Sequence, residues 1–143
     1  MTTPRERWLG LLLAGLALAG LGISIYLTAT KLSGTLPVCG PLGGCETVDA
    51  SEWSEILGVP TAAFGIVYSA AAGLLGLAWW RVGDRRALLA AYVLGLAGLL
   101  VEAFLVYLQL FVIHAVCVWC AAYGATVILG WLIVLVALRR APA

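Results

Sequence analysis

The residues of this chain best able to do chemistry are its four cysteines, which fall into two pairs. Cys117 and Cys120 form Cys-Val-Trp-Cys, and Cys39 and Cys45 enclose a glycine-rich stretch with Gly40, Pro41, Gly43 and Gly44. Positions i and i+3 share a helical face, so Cys117 and Cys120 are close enough to bridge. At a helix N-terminus the partial positive charge favours thiolate, which makes the first cysteine of that pair the readier nucleophile. The loop pair differs in kind. Its glycines give the segment freedom, so a disulfide there can swing between an outside partner and the second pair. Thiolate attack on a disulfide passes through a mixed disulfide, so two pairs on one face make a relay. Two duller readings compete. Disulfides can be staples, although a bridge within one helical turn constrains almost nothing. Four thiolates can hold a metal ion, but the glycine-rich gap is atypical of such sites and no metal is expected.

What must position these residues is a membrane bundle. Of 143 residues 64% are hydrophobic and 10% charged, and the mean hydropathy is +1.09. A soluble domain devotes about a quarter of its residues to charge, so this chain folds with lipid as most of its solvent. The net charge of +1 and the lack of a basic tract give no reason to expect nucleic acid. Four apolar stretches, near residues 8–30, 60–80, 87–113 and 117–138, are long enough to cross a bilayer, which takes about 20 helical residues. They exceed the roughly 9–11 residues of a barrel strand. The fold class is therefore all-α: a four-helix integral membrane bundle forming a single domain over residues 1–143. Gly15, Ala19, Gly22, Gly73, Gly95 and Gly98 suit close helix packing in lipid. The first stretch follows Arg5 and Arg7 and outruns the roughly 7–15-residue core of a cleavable signal, so it is expected to be retained.

Arginines set the orientation. Arg5 and Arg7, then Arg81, Arg85 and Arg86, then Arg139 and Arg140 fall on one side of a four-span chain, predicted to be cytoplasmic with both termini. The loop over residues 31–59 and the short connection before Cys117 then face outward. That is where disulfides persist, beyond a bacterial inner membrane or in a secretory lumen. Within the loop, Asp49-Ala-Ser-Glu52 has capping-box spacing. It predicts a short half-helix running to about Leu57, stopped by Gly58, with Pro60 opening the next span. Val48, Trp53, Ile56 and Leu57 would form its apolar side and lie on the bundle like a lid.

Other residues invite a role. Glu102 is the acid well inside a span, where burying charge costs roughly 2.5–3.5 kcal/mol on insertion scales; it is a candidate proton relay or a neutral acid bonded to a neighbouring helix. His114, three residues before Cys117, can raise the thiolate population or shuttle a proton, or simply sit at the interface. Ser51 suits a helix-start hydrogen bond, and Trp53 and Trp119 suit interfacial anchoring.

Taken together, Cys39-x5-Cys45, Ser51, Trp53, Gly58-Val-Pro60, Phe64-Gly65, Tyr68, Tyr107-Leu108 and Cys117-Val-Trp-Cys120 resemble the vitamin K epoxide reductase family, from Ser24-Ile-Tyr26-Leu to the end of the fourth span. The Cys-x-x-Cys comes last, whereas the DsbB family places it in the first outer loop. The resemblance implies that Cys120 lies beside a quinone, that Cys117 exchanges with Cys45, and that Cys39 meets a thioredoxin-like protein. It implies a quinone pocket with Ser51, Trp53, Thr61, Phe64 and Tyr123. Thr61 stands where vertebrate members have asparagine, and Tyr123 follows the cysteines one residue earlier than the family's pocket tyrosine. The implied function is a quinone-dependent thiol–disulfide oxidoreductase that supports disulfide formation. Its acceptor would be a menaquinone or ubiquinone, and its partner a separate thioredoxin-like or DsbA-like protein, since no such domain follows within 143 residues. The alternatives are vitamin K epoxide or quinone reduction as an end in itself, or a non-enzymatic four-span protein with structural or metal-binding cysteines.

Overall fold

A computed structural model describes residues 4–39 and 43–140. Four long helices are apolar enough to cross a membrane: α1 (Pro4–Ser33), α3 (Thr61–Val82), α4 (Arg85–Tyr107), prolonged by a π-helical turn Leu108–Ile113, and α5 (Val118–Arg140). A short helix α2 (Cys45–Ala50), a 3₁₀ turn (Glu52–Ser54) and a small hairpin, β1 (Glu55–Ile56) with β2 (Val59–Pro60), lie between α1 and α3. The long helices alternate in direction, each packing on two others, α1 most extensively on α3. This is an integral membrane four-helix bundle.

At the arginine end the helices close tightly. Gly10 and Gly76 let α1 and α3 touch backbone to backbone, since a Cβ on Gly10 would stand 2.6 Å from the Gly76 carbonyl oxygen. Around them Leu9, Leu13, Trp79, Leu88, Ala91, Val134 and Ala137 form the apolar core. The α3–α4 connection needs only two residues. Gly83 takes a left-handed φ of 71° and donates to the Trp79 carbonyl, and the Asp84 side chain accepts from the Arg86 N–H, a C-cap followed at once by an N-cap. Arg7 reaches across from α1 to the carbonyls of Trp80 and Arg81, satisfying acceptors that a helix C-terminus leaves open.

Two expectations are corrected. The capping box at Asp49 does not form. The short helix lies earlier, at Cys45–Ala50, because Asp49 is engaged by Lys31, whose Nζ donates to the Asp49 carbonyl at 2.6 Å and stands 3.8 Å from its carboxylate. Gly58 then turns a hairpin instead of stopping a helix: Leu57 and Gly58 have φ of 53° and 81°, both positive as in a type I′ turn. Leu57 is fully exposed at 100%, so it projects from the hairpin tip and forms no lid. The second correction concerns small residues. Gly73, Gly95 and Gly98 do meet neighbouring helices, but Gly15 and Gly22 face open space and Ala19 is exposed, so these three do not pack helices of the bundle together.

Candidate functional site

The cysteines gather at the opposite end, and each is held by specific neighbours. Cys45 opens α2 and is buried, with 1% exposure. Gly44 makes this possible. It has a φ of 86°, and any Cβ there would collide with the Val116 carbonyl oxygen, so the chain comes directly against the residue preceding Cys117. The Lys31 contact with Asp49 ties the far end of α2 to the last turn of α1. Cys39 is bonded to Cys45, with Cα atoms 6.0 Å apart.

The residue before Cys39 is clasped from two sides. The Val38 N–H donates to the Tyr26 hydroxyl at 2.9 Å, and its carbonyl accepts from Trp119 Nε1 at 2.7 Å. The two rings pack together with centroids 5.0 Å apart. Tyr26 and Trp119 thus fix the loop disulfide over the head of α5, a task that sequence reasoning missed. Trp119 is more than an anchor at an interface.

Cys117 and Cys120 remain thiols. Cys45 Sγ lies 3.3 Å from Cys117 Sγ, so the loop disulfide and the helical pair are in contact. Cys117, 2% exposed, occupies the N-cap of α5, its carbonyl accepting from the Ala121 N–H. A hydrogen bond with the Cys120 thiol lowers Cys117 to about 6 against opposing burial, helped by the backbone N–H groups of Cys120 and Trp119. Its sulfur caps the helix as an N-cap oxygen would, and a thiol so held ionises more readily than an ordinary one.

The remaining expected residues spread around this centre. The Ser51 hydroxyl donates to the Val48 carbonyl at 2.7 Å and closes the end of α2, while its own carbonyl accepts from the Ser54 N–H at the start of the 3₁₀ turn. Thr61 donates to the Trp53 carbonyl at 2.7 Å, and the Trp53 ring meets Phe104 edge-on at 6.2 Å. Phe64, half-exposed, follows Thr61 by one turn on α3. Tyr123 points into the bundle, donating to the Gly65 carbonyl at 3.0 Å and lying 3.1 Å from Ser69 Oγ. Glu102 lies against α5, where a Cβ on Gly124 would be 2.8 Å from its carboxylate; Gly124 is one turn beyond Cys120. His114 is exposed, at a left-handed φ of 57°, where the chain leaves the π turn.

The Cys39, Cys45 and Cys117 sulfurs all lie within 4.8 Å of one another. Two of them, Cys39 and Cys45, are joined as a disulfide. The cavity among Tyr68, Ser69, Thr126 and Trp131 is only about 20 Å³, room for a water and not for an aromatic ring.

A model of the vitamin K epoxide reductase family matches residues 11–135, most of the chain. The protein belongs to the vitamin K epoxide reductase family. For this family member the match spans all four long helices and both cysteine pairs. Membership of this family gives the bundle a membrane redox function.

Proposed function

We propose that this protein is a quinone-dependent thiol–disulfide oxidoreductase of a bacterial inner membrane. It draws electrons from a thioredoxin-like or DsbA-like partner and delivers them to a menaquinone- or ubiquinone-type acceptor, supporting disulfide formation in secreted proteins. The observation that carries this reading is the 3.3 Å approach of Cys45 to Cys117, which joins a disulfide held in a loop to a thiol pair at a helix head. The arginine clusters at the other end favour a cytoplasmic position for that end, and the cysteines then face outward.

A partner thiolate attacks Cys39 Sγ, the Cys39–Cys45 bond breaks, and Cys45 leaves as thiolate. Cys45 attacks Cys117 of an oxidised Cys117–Cys120 pair, and Cys120 leaves as thiolate. The partner's second thiol releases Cys39, and Cys39 attacks Cys45 and frees Cys117. The loop disulfide is restored with Cys117 and Cys120 reduced, the arrangement seen here. A bound quinone supplies the two-electron, two-proton sink that reoxidises this pair.

Trp53, Phe104 and Phe64 all expose aromatic surface that a quinone ring could stack on. We assign quinone contact to Trp53 and Phe64, with Ser51 and Thr61 fixing the loop that carries Trp53 and Tyr123 fixing α5 against α3. Glu102, one turn from Cys120 on the facing helix, is the proton carrier in this reading. His114 turns the chain.

The test is quinone reduction by the purified protein in detergent with a reduced thioredoxin-like partner. Turnover is expected to vanish in Cys120→Ser. Cys39→Ala is expected to lose the protein partner yet still accept a small dithiol. Folded wild type that reduces no quinone contradicts the proposal.

A further inference from the structure

The Cys-x-x-Cys spacing creates a problem at the head of α5. Its two cysteines occupy the N-cap and the third helical position, the places that serine or threonine and glutamate or glutamine hold in a capping box. The Cys117 sulfur performs the first half of that motif, accepting backbone N–H groups of the first turn. Cys120 is too short to perform the second half, in which a long polar side chain reaches back to the N–H of the N-cap residue. Left alone, the Cys117 N–H would be a buried donor without a partner, worth about 1–3 kcal/mol of penalty.

Gln109 provides the missing acceptor from another helix. Its Oε1 accepts the Cys117 N–H at 2.9 Å. Its own carbonyl accepts from His114, at the close of the π turn, and from Ala115 at 3.0 Å. One residue thus gathers three donors of the connection that delivers Cys117. Gln109 is 8% exposed, so water competes little for these bonds. The π turn at Leu108–Ile113 is what places Gln109 under the connection, since π insertions shift the helical register locally.

We propose that Gln109 is a positioning residue for the relay: it completes the cap of α5 and so holds the Cys117 sulfur both on the helix head and against Cys45. This rests on the exchange chemistry proposed above. The groups that face Cys117 are Cys120 of α5, the loop disulfide, and Asp49 of α2, which is paired with Lys31 of α1. Gln109 is uncharged, so it acts by geometry.

The experiment follows the pH dependence of Cys117 alkylation by a small iodoacetamide in the full-length protein, alongside thiol-dependent quinone turnover and the thermal midpoint. Gln109→Leu is expected to move the alkylation midpoint up by about one pH unit, a tenfold change in thiolate near the midpoint, and to slow turnover with it. Gln109→Glu keeps an acceptor oxygen but sets a carboxylate near the sulfur. It should recover the turnover rate at high pH while its midpoint stays raised. An unchanged midpoint in Gln109→Leu, whether or not its thermal stability falls, overturns the proposal. Should Gln109→Leu fail to fold, an unchanged midpoint in Gln109→Met, which also removes the acceptor oxygen, overturns it equally. A shifted midpoint in a protein whose wild type reduces no quinone would leave Gln109 in place and reject the proposed function instead.

Discussion

The two ends of the bundle are built on different principles. At the arginine end the helices themselves make the contact. Gly10 lies on Gly76, Trp79 is 1% exposed, and Leu88, Val134 and Ala137 fill the space around it. Arg7, Gly83 and Asp84 make hydrogen bonds there that close helix ends. At the cysteine end side chains hold backbone segments that are not helical: Lys31 holds Asp49, Tyr26 and Trp119 hold Val38, Thr61 holds Trp53, and Gln109 holds Cys117. Apolar packing is tolerant of direction, whereas a hydrogen bond fixes where an atom points. The end that only has to hold together uses the first device. The end that has to bring sulfurs to 3.3 Å uses the second.

That contrast predicts which substitutions harm activity and which harm stability. The largest effect on activity is expected from Cys117→Ser. It should abolish thiol-dependent turnover and leave the thermal midpoint near wild type, because the cysteine end does little to hold the bundle; a large loss of stability would make the cysteines staples. Trp79→Ala should do the reverse, costing about 3–5 kcal/mol of stability through the cavity it opens. Its turnover, measured below the lowered midpoint, should persist.

Gly44→Ala comes next. It introduces a Cβ against the Val116 carbonyl at a left-handed φ of 86°, so α2 must withdraw from Cys117. Turnover should drop by about tenfold or more, given the roughly 1–2 kcal/mol of backbone strain alone, and the rate of Cys45–Cys117 bond formation should drop with it. An unaltered rate would show that the loop reaches Cys117 by another path. A smaller effect concerns pH. Cys117 sits at about 6, below the ordinary thiol at roughly 8.5. Its thiolate is therefore lost as pH falls through about 6, and alkylation of Cys117 by iodoacetamide should slow over that range. Cys120→Ala removes the hydrogen-bonding thiol and should push the transition upward, while Cys120→Ser, which keeps a donor, should push it less.

Much of this plan was legible in the chain. Four blocks of apolar residues declare four helices, because a helix satisfies its own backbone in lipid and the blocks are too long for barrel strands. The cysteine spacings and the polar positions around them carried the family resemblance that the match over residues 11–135 now supports. What escaped were choices between competing local partners. Asp49 and Glu52 have the spacing of a capping box, yet Lys31, distant in sequence and adjacent in space, takes Asp49. Gly15 and Gly22 have the composition of an interface, but composition alone does not say which side of α1 faces lipid; Gly10 does that work unannounced. Gln109 carried a usable signal. It is an amide inside an apolar stretch that runs over Arg85–Ile113, and the cost of burying polar groups that drew attention to Glu102 applies to it as well. Tyr26 and Trp119 gave no such signal, since aromatic residues near a membrane surface are ordinary.

The contact between Cys45 and Cys117 is the centre of this account, and it can be trapped. Protein carrying Cys39→Ser and Cys120→Ser retains only the two cysteines whose sulfurs lie 3.3 Å apart. Mild oxidation in the membrane followed by digestion and mass spectrometry without reduction should recover the Cys45 and Cys117 peptides as one linked species within each molecule. Recovery of both cysteines as free thiols, or of links only between molecules, would contradict the relay.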